Sequence, residues 1–102
     1  RRPLGGSDLL VTPLCVGTMT FGLQNSLEDG LRLLDYAVGE RGVNFVDTAE
    51  MYPAPTSGAG WRPGVAEEIV GAWLARNKGL RGEVVVGTKV MGFAEGEGSV
   101  GN

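Results

Sequence analysis

With 102 residues and 42% hydrophobic content, the chain is at most one domain around a modest core. A net charge of -3 and a pI near 4.8 exclude the basic footprint of a nucleic-acid binder, and no apolar run approaches a membrane span. One cysteine, Cys15, and no histidine rule out an intrachain disulfide, argue against a metal site, and suit a reducing, cytoplasmic setting. The chain opens on Arg1 rather than methionine and carries no signal-peptide pattern, as expected of a segment excised from a longer reading frame.

Leu4 to Val11 places two short apolar patches around Gly5-Gly6-Ser7-Asp8, which predicts an N-terminal hairpin over residues 1–12. Leu14 to Gly22 begins as a nearly continuous apolar run, the pattern of a strand covered on both faces, and places Cys15 in the core as a small apolar residue. Ser26 caps a helix with Glu28 and Asp29 in its first turn. Leu27, Leu31, Leu34 and Val38 give it a stripe, widened by Leu33 and Ala37, and Arg41-Gly42 ends it. Gly42 to Ala49 is a second strand. A proline- and glycine-rich excursion from Pro53 to Pro63 follows, long enough to be functional or mobile, with Trp61 and Met51 packing within the loop or, as the alternative, lining a substrate pocket.

Gly64 to Asn77 is a second helix, with Val65, Ile69 and Trp73 on its core face and Glu67 and Glu68 as helix-start charges. Glu83 to Val90 is a β-branched third strand. Gly92 to Asn102 is glycine and acid, a solvated end whose residues 93–102 are expected to be a flexible loop or a truncation. The order hairpin, then β-α-β-α-β, marks an α/β protein, and pattern alone leaves open whether its sheet is flat or closed. Neither a Gly-x-Gly-x-x-Gly turn nor a P-loop follows the first strand.

The chemistry follows from the two-residue period of strands. Val43, Phe45 and Asp47 share one face of the second strand, and Val85, Gly87 and Lys89 one face of the third. Parallel neighbours would bring Asp47 and Lys89 together at their C-terminal tips, holding the ammonium charged and in place. A phenol such as Tyr52 beside that ammonium feels an attraction of roughly 4 kcal/mol at about 4 Å and an effective dielectric of about 20. Such a phenol becomes a better general acid, able to protonate a carbonyl oxygen as hydride reaches the carbon. Each residue alone has a plainer reading: a structural ion pair at strand tips, and a tyrosine in a loop wall.

Three motifs in order strengthen the chemical reading. Gly17-Thr18-Met19-Thr20-Phe21-Gly22, Gly42-Val43-Asn44-Phe45-Val46-Asp47-Thr48-Ala49 with Tyr52 after it, and Gly87-Thr88-Lys89 together resemble the aldo-keto reductases. The run Glu50-Met51-Tyr52-Pro53 looks most like their Tas-like branch. The resemblance implies the N-terminal part of a TIM-type (β/α)8 barrel and NADPH-dependent reduction of small aldehydes or ketones. It further implies Tyr52 as proton donor, Lys89 as the cation beside it, Asp47 as the anchor of Lys89, and Gly17, Thr18, Met19 and Asp47 along the NADP(H) cofactor.

The family's catalytic histidine has no counterpart here, because the chain contains none. The family's phosphate and adenine contacts come from its last strands, which also lie outside this sequence. The expectation is therefore a partial oxidoreductase domain, inactive by itself, from a protein about three times longer. Two other classes compete with it. One is a non-catalytic regulatory subunit on the same scaffold, like the potassium-channel β-subunits; the other is a small α/β interaction domain. Retention of Asp47, Tyr52 and Lys89 together favours the enzyme.

Overall fold

The computed structural model describes residues 1–57 and 60–90. The solvated end expected from Gly92, with its flexible loop over 93–102, lies outside the described residues. Strands β1 (Arg2–Pro3) and β2 (Leu10–Val11) pair antiparallel, Arg2 opposite Val11 and Pro3 opposite Leu10. Their connection turns at Gly5, whose φ of +59° suits a residue without Cβ. The Ser7 hydroxyl donates to the Leu4 carbonyl at 2.6 Å and closes the turn.

A second sheet holds β3 (Val16–Gly17), β4 (Phe45–Asp47) and β5 (Val85–Gly87), parallel throughout, with β4 in the middle. The regular strands are shorter than the apolar runs that predict them. Hydrogen bonding nonetheless continues past their ends, where Thr48 N–H donates to Gly87 O at 2.8 Å and Glu50 N–H to Lys89 O at 3.1 Å.

Helix α1 (Leu27–Leu34) starts as its sequence dictates. The Ser26 hydroxyl accepts from Asp29 N–H and the Asp29 carboxylate accepts from Ser26 N–H, a reciprocal capping box. Beyond Leu34 the chain winds on as a π-helical segment over Asp35–Glu40, and Gly42 turns out of it at a φ of +74°. The predicted stripe is only partly used. Leu34 is fully buried, but Leu27 is 50% exposed and Leu33 43%. The contact is made instead through Gly30, where a Cβ would stand 2.7 Å from Ile69 Cγ2 and 3.1 Å from the Phe21 ring. A glycine at the crossing lets the two helices approach closely, with Leu34 buried beside it and Leu31 packed against the core.

Helix α2 (Val65–Arg76) buries Ala66, Ile69, Val70 and Trp73, then tightens into a 3-10 segment, Lys78–Glu83. With Phe21, Leu34, Val46 and Val84 these four form the core, between the helices and one face of the sheet. Trp73 is 1% exposed and its indole N–H donates to Asp35 at 2.8 Å, so its polar atom is satisfied as well as its ring.

The opposite sheet face is open. Cys15 and Leu14, expected inside, are both exposed, Leu14 by 73%. For Cys15 the reason is alternation, whereas Leu14 has the parity of Val16 but lies in the bend ahead of β3, outside the strand. Val16 faces the core, so Cys15 and Gly17 face the other way, and no helix covers that side among the described residues. The Cys15 thiol has a raised pKa, first from partial burial and then from the Asp47 carboxylate, against the opposing pull of Lys89.

Candidate active site

Asp47 ends the central strand on the open face. Its register partners are Gly17 on one side and Gly87 on the other, so no neighbouring side chain crowds the carboxylate. Lys89, two residues past Gly87, reaches back to it. Lys89 Nζ lies 2.8 Å from Asp47 Oδ1, 3.0 Å from Oδ2 and 2.8 Å from the Thr48 carbonyl. Three donors meet three acceptors, so the ammonium has a fixed position. The Asp47 hydrogen bond raises the pKa of Lys89; partial burial opposes this, and the Asp47 charge and then the Tyr52 side chain reinforce it. Side-chain exposures of 49% for Lys89 and 44% for Asp47 show that the pair sits at a wall open to solvent.

Tyr52 completes the cluster. Lys89 Nζ stands over its ring, 5.0 Å from the centroid. Tyr52 belongs to no strand, yet its backbone is tied at both polar groups. Its N–H donates to Ala49 O at 3.1 Å, and its carbonyl accepts from Ala66 N–H, in the first turn of α2, at 3.3 Å. The bond between Tyr52 and Pro53 is cis.

The residues expected along a cofactor divide. Gly17 is exposed, with no atom of another described residue beyond its chain neighbours within 4 Å of where a Cβ would stand, and Met19 is 49% exposed. Thr18 instead is fully buried, with its N–H and its hydroxyl both donating to the Asp47 carbonyl at 3.1 Å. It fixes the backbone of Asp47 from behind.

Other residues near the site escaped the sequence reading. The Thr48 carbonyl, as third acceptor for Lys89, carries no sequence signal because it is backbone. Glu67 does more than favour a helix start, since its carboxylate accepts from the Thr88 hydroxyl at 2.7 Å and ties α2 to the residue before Lys89. Asn44 is 3% exposed and joins the hairpin to β4, donating to Leu10 O and accepting from Thr12 N–H, each at 2.7 Å. A polar residue on the core-facing parity of an apolar strand was the available signal for it.

A profile described as the aldo/keto reductase family matches residues 13–102. The chain belongs to that family. Among curated relatives it is 47% identical over 89 residues to Protein tas of Escherichia coli, covering 84% of this chain and 24% of that protein. It is 39% identical over 87 residues to an uncharacterised oxidoreductase, YrpG, of Bacillus subtilis, covering 85% of this chain and 25% of that one. An uncharacterised 11.2 kDa protein in the crtE 3' region of Pseudescherichia vulneris is 38% identical over 93 residues, which cover 87% of this chain and 84% of that protein. This family member thus spans about a quarter of the length of the first two relatives and is similar in extent to the third. Among its described residues no helix is long and apolar enough to cross a membrane.

Proposed function

We propose that this aldo/keto reductase segment carries the proton-donating half of a carbonyl-reducing site, in an NADP(H)-dependent oxidoreductase whose three parallel strands belong to a (β/α)8 barrel. In this reading residues 1–102 form the N-terminal part of the oxidoreductase domain, with residues 1–12 as a hairpin over one end. The supporting observation is the Lys89 ammonium, held by Asp47 and the Thr48 carbonyl, standing 5.0 Å from the Tyr52 ring centroid.

NADP(H), when bound, supplies hydride to the carbonyl carbon. Tyr52 gives its hydroxyl proton to the carbonyl oxygen, so aldehyde or ketone becomes alcohol, and the phenolate left behind faces a permanent cation. Asp47 keeps that cation charged and aimed. The residues fit a nicotinamide end: Gly17 offers bare backbone and open space, Met19 an apolar surface, and Asp47 a half-exposed carboxylate, while Thr18 stiffens the wall behind them. An exposed free thiol at Cys15 suits a reducing, cytoplasmic compartment.

Three strands cannot enclose a substrate, so the isolated chain is expected not to turn over. The test is Tyr52→Phe in the full-length protein. Loss of carbonyl reduction by 100-fold or more, on the order seen for removal of a charge-stabilising donor, with cofactor affinity nearly intact, supports the assignment. Unchanged turnover refutes it.

A further inference from the structure

We infer that Trp61 is a positioning residue for Tyr52, acting through the backbone of the loop that carries it; this rests on the reading of Tyr52 as proton donor. The two halves of the site are built differently. Lys89 and Asp47 are set by the sheet, through the β4–β5 register and the bonds of Thr48 and Glu50 beyond it. Tyr52 lies past the end of β4, where sheet pairing no longer fixes the chain. Part of what fixes it comes from Trp61, eight residues beyond Pro53 and ten beyond Met51, which bonds back to the start of its own loop.

The Trp61 indole N–H donates to the Pro53 carbonyl at 2.7 Å and to the Met51 carbonyl at 3.3 Å. Those two carbonyls flank Tyr52, so one donor brackets the residue from both sides. The stronger bond goes to proline, which has no N–H of its own to contribute to a turn. Further bonds hold the same stretch: Ala54 N–H donates to the Met19 carbonyl at 2.8 Å and Ala66 N–H to the Tyr52 carbonyl at 3.3 Å. The indole is thus the side-chain member of a set of bonds that places the phenol relative to the ammonium. Rings of similar shape without the N–H would fill the same space and leave both carbonyls free to drift.

The experiment compares Trp61→Phe and Trp61→His in the full-length protein, with Tyr52→Phe as control. Phenylalanine keeps the larger ring and loses the donor; histidine loses volume and keeps a ring N–H. Loss of alignment is expected to lower kcat about 10- to 100-fold in Trp61→Phe, with KM changed less than threefold and cofactor affinity intact. Trp61→His should recover at least part of that kcat although it fills less space. A kcat within twofold of the parent in Trp61→Phe overturns the inference. So does Trp61→His falling as far as or below Trp61→Phe, the order that packing alone predicts. If Tyr52→Phe retains turnover, it is the proton-donor reading that fails, whatever the Trp61 variants do.

Discussion

The two faces of the central sheet do different work from one short stretch of sequence. On β4, Val46 turns to the helices and is 1% exposed, as part of the shared core. Its neighbours Phe45 and Asp47 turn the other way and are only half-buried. Stability therefore concentrates on the even-numbered side of β4 and chemistry on the odd-numbered side. Substitutions should separate accordingly, with large losses of stability behind the sheet and large losses of activity in front of it.

The largest expected effect is on the covered side. Trp73→Ala removes a fully buried ring and leaves a cavity between the helices, costing about 3–5 kcal/mol and unfolding much of the protein in a thermal melt. Gly30→Ala probes the same side by overpacking. Its new methyl would meet Ile69 Cγ2 at 2.7 Å, and a loss of about 1–3 kcal/mol is expected in denaturant titration. On the open side, Asp47→Asn should cost less than about 1 kcal/mol, because the ion pair is half exposed and screened. A loss as large as that at Gly30 would show the two faces to be equivalent.

The smallest effect is pH-dependent. The bond to Asp47 raises the folded-state pKa of Lys89 above its ordinary 10.5. A group raised on folding stabilises fully below its unfolded value and loses that contribution as pH rises through the folded one. The melting difference between the parent and Asp47→Asn should therefore be constant from neutral pH to about 10.5 and shrink above it.

Much of this division was legible beforehand, for a physical reason. Side-chain alternation is strict in strands, so Val43, Phe45 and Asp47 could be assigned to one face and matched to Val85, Gly87 and Lys89 before any coordinates. Ser26 and Asp29 likewise announce a helix start through local bonding alone. Burial was harder to read. Cys15 looks like core because apolarity does not say which face of a sheet will be covered, and Leu14 because an apolar run does not say where its strand begins. Leu27 and Leu33 lie on a helical stripe, yet about half of each stays exposed while Leu34 is buried, and spacing alone does not say how much of a stripe its partner covers. Trp61 reads as loop packing or a pocket wall, and no local pattern foretells which carbonyls its indole will meet.

The most direct check is to cross the two faces in one experiment, measuring carbonyl turnover and melting temperature of the full-length protein for Lys89→Met and Val46→Ala. Lys89→Met should lose at least 100-fold in turnover, on the order expected for removing a charge that stabilises the reacting centre, while its melting temperature stays near that of the parent. Val46→Ala should melt earlier and keep its activity while folded. Turnover preserved without the Lys89 ammonium would contradict the account at its centre.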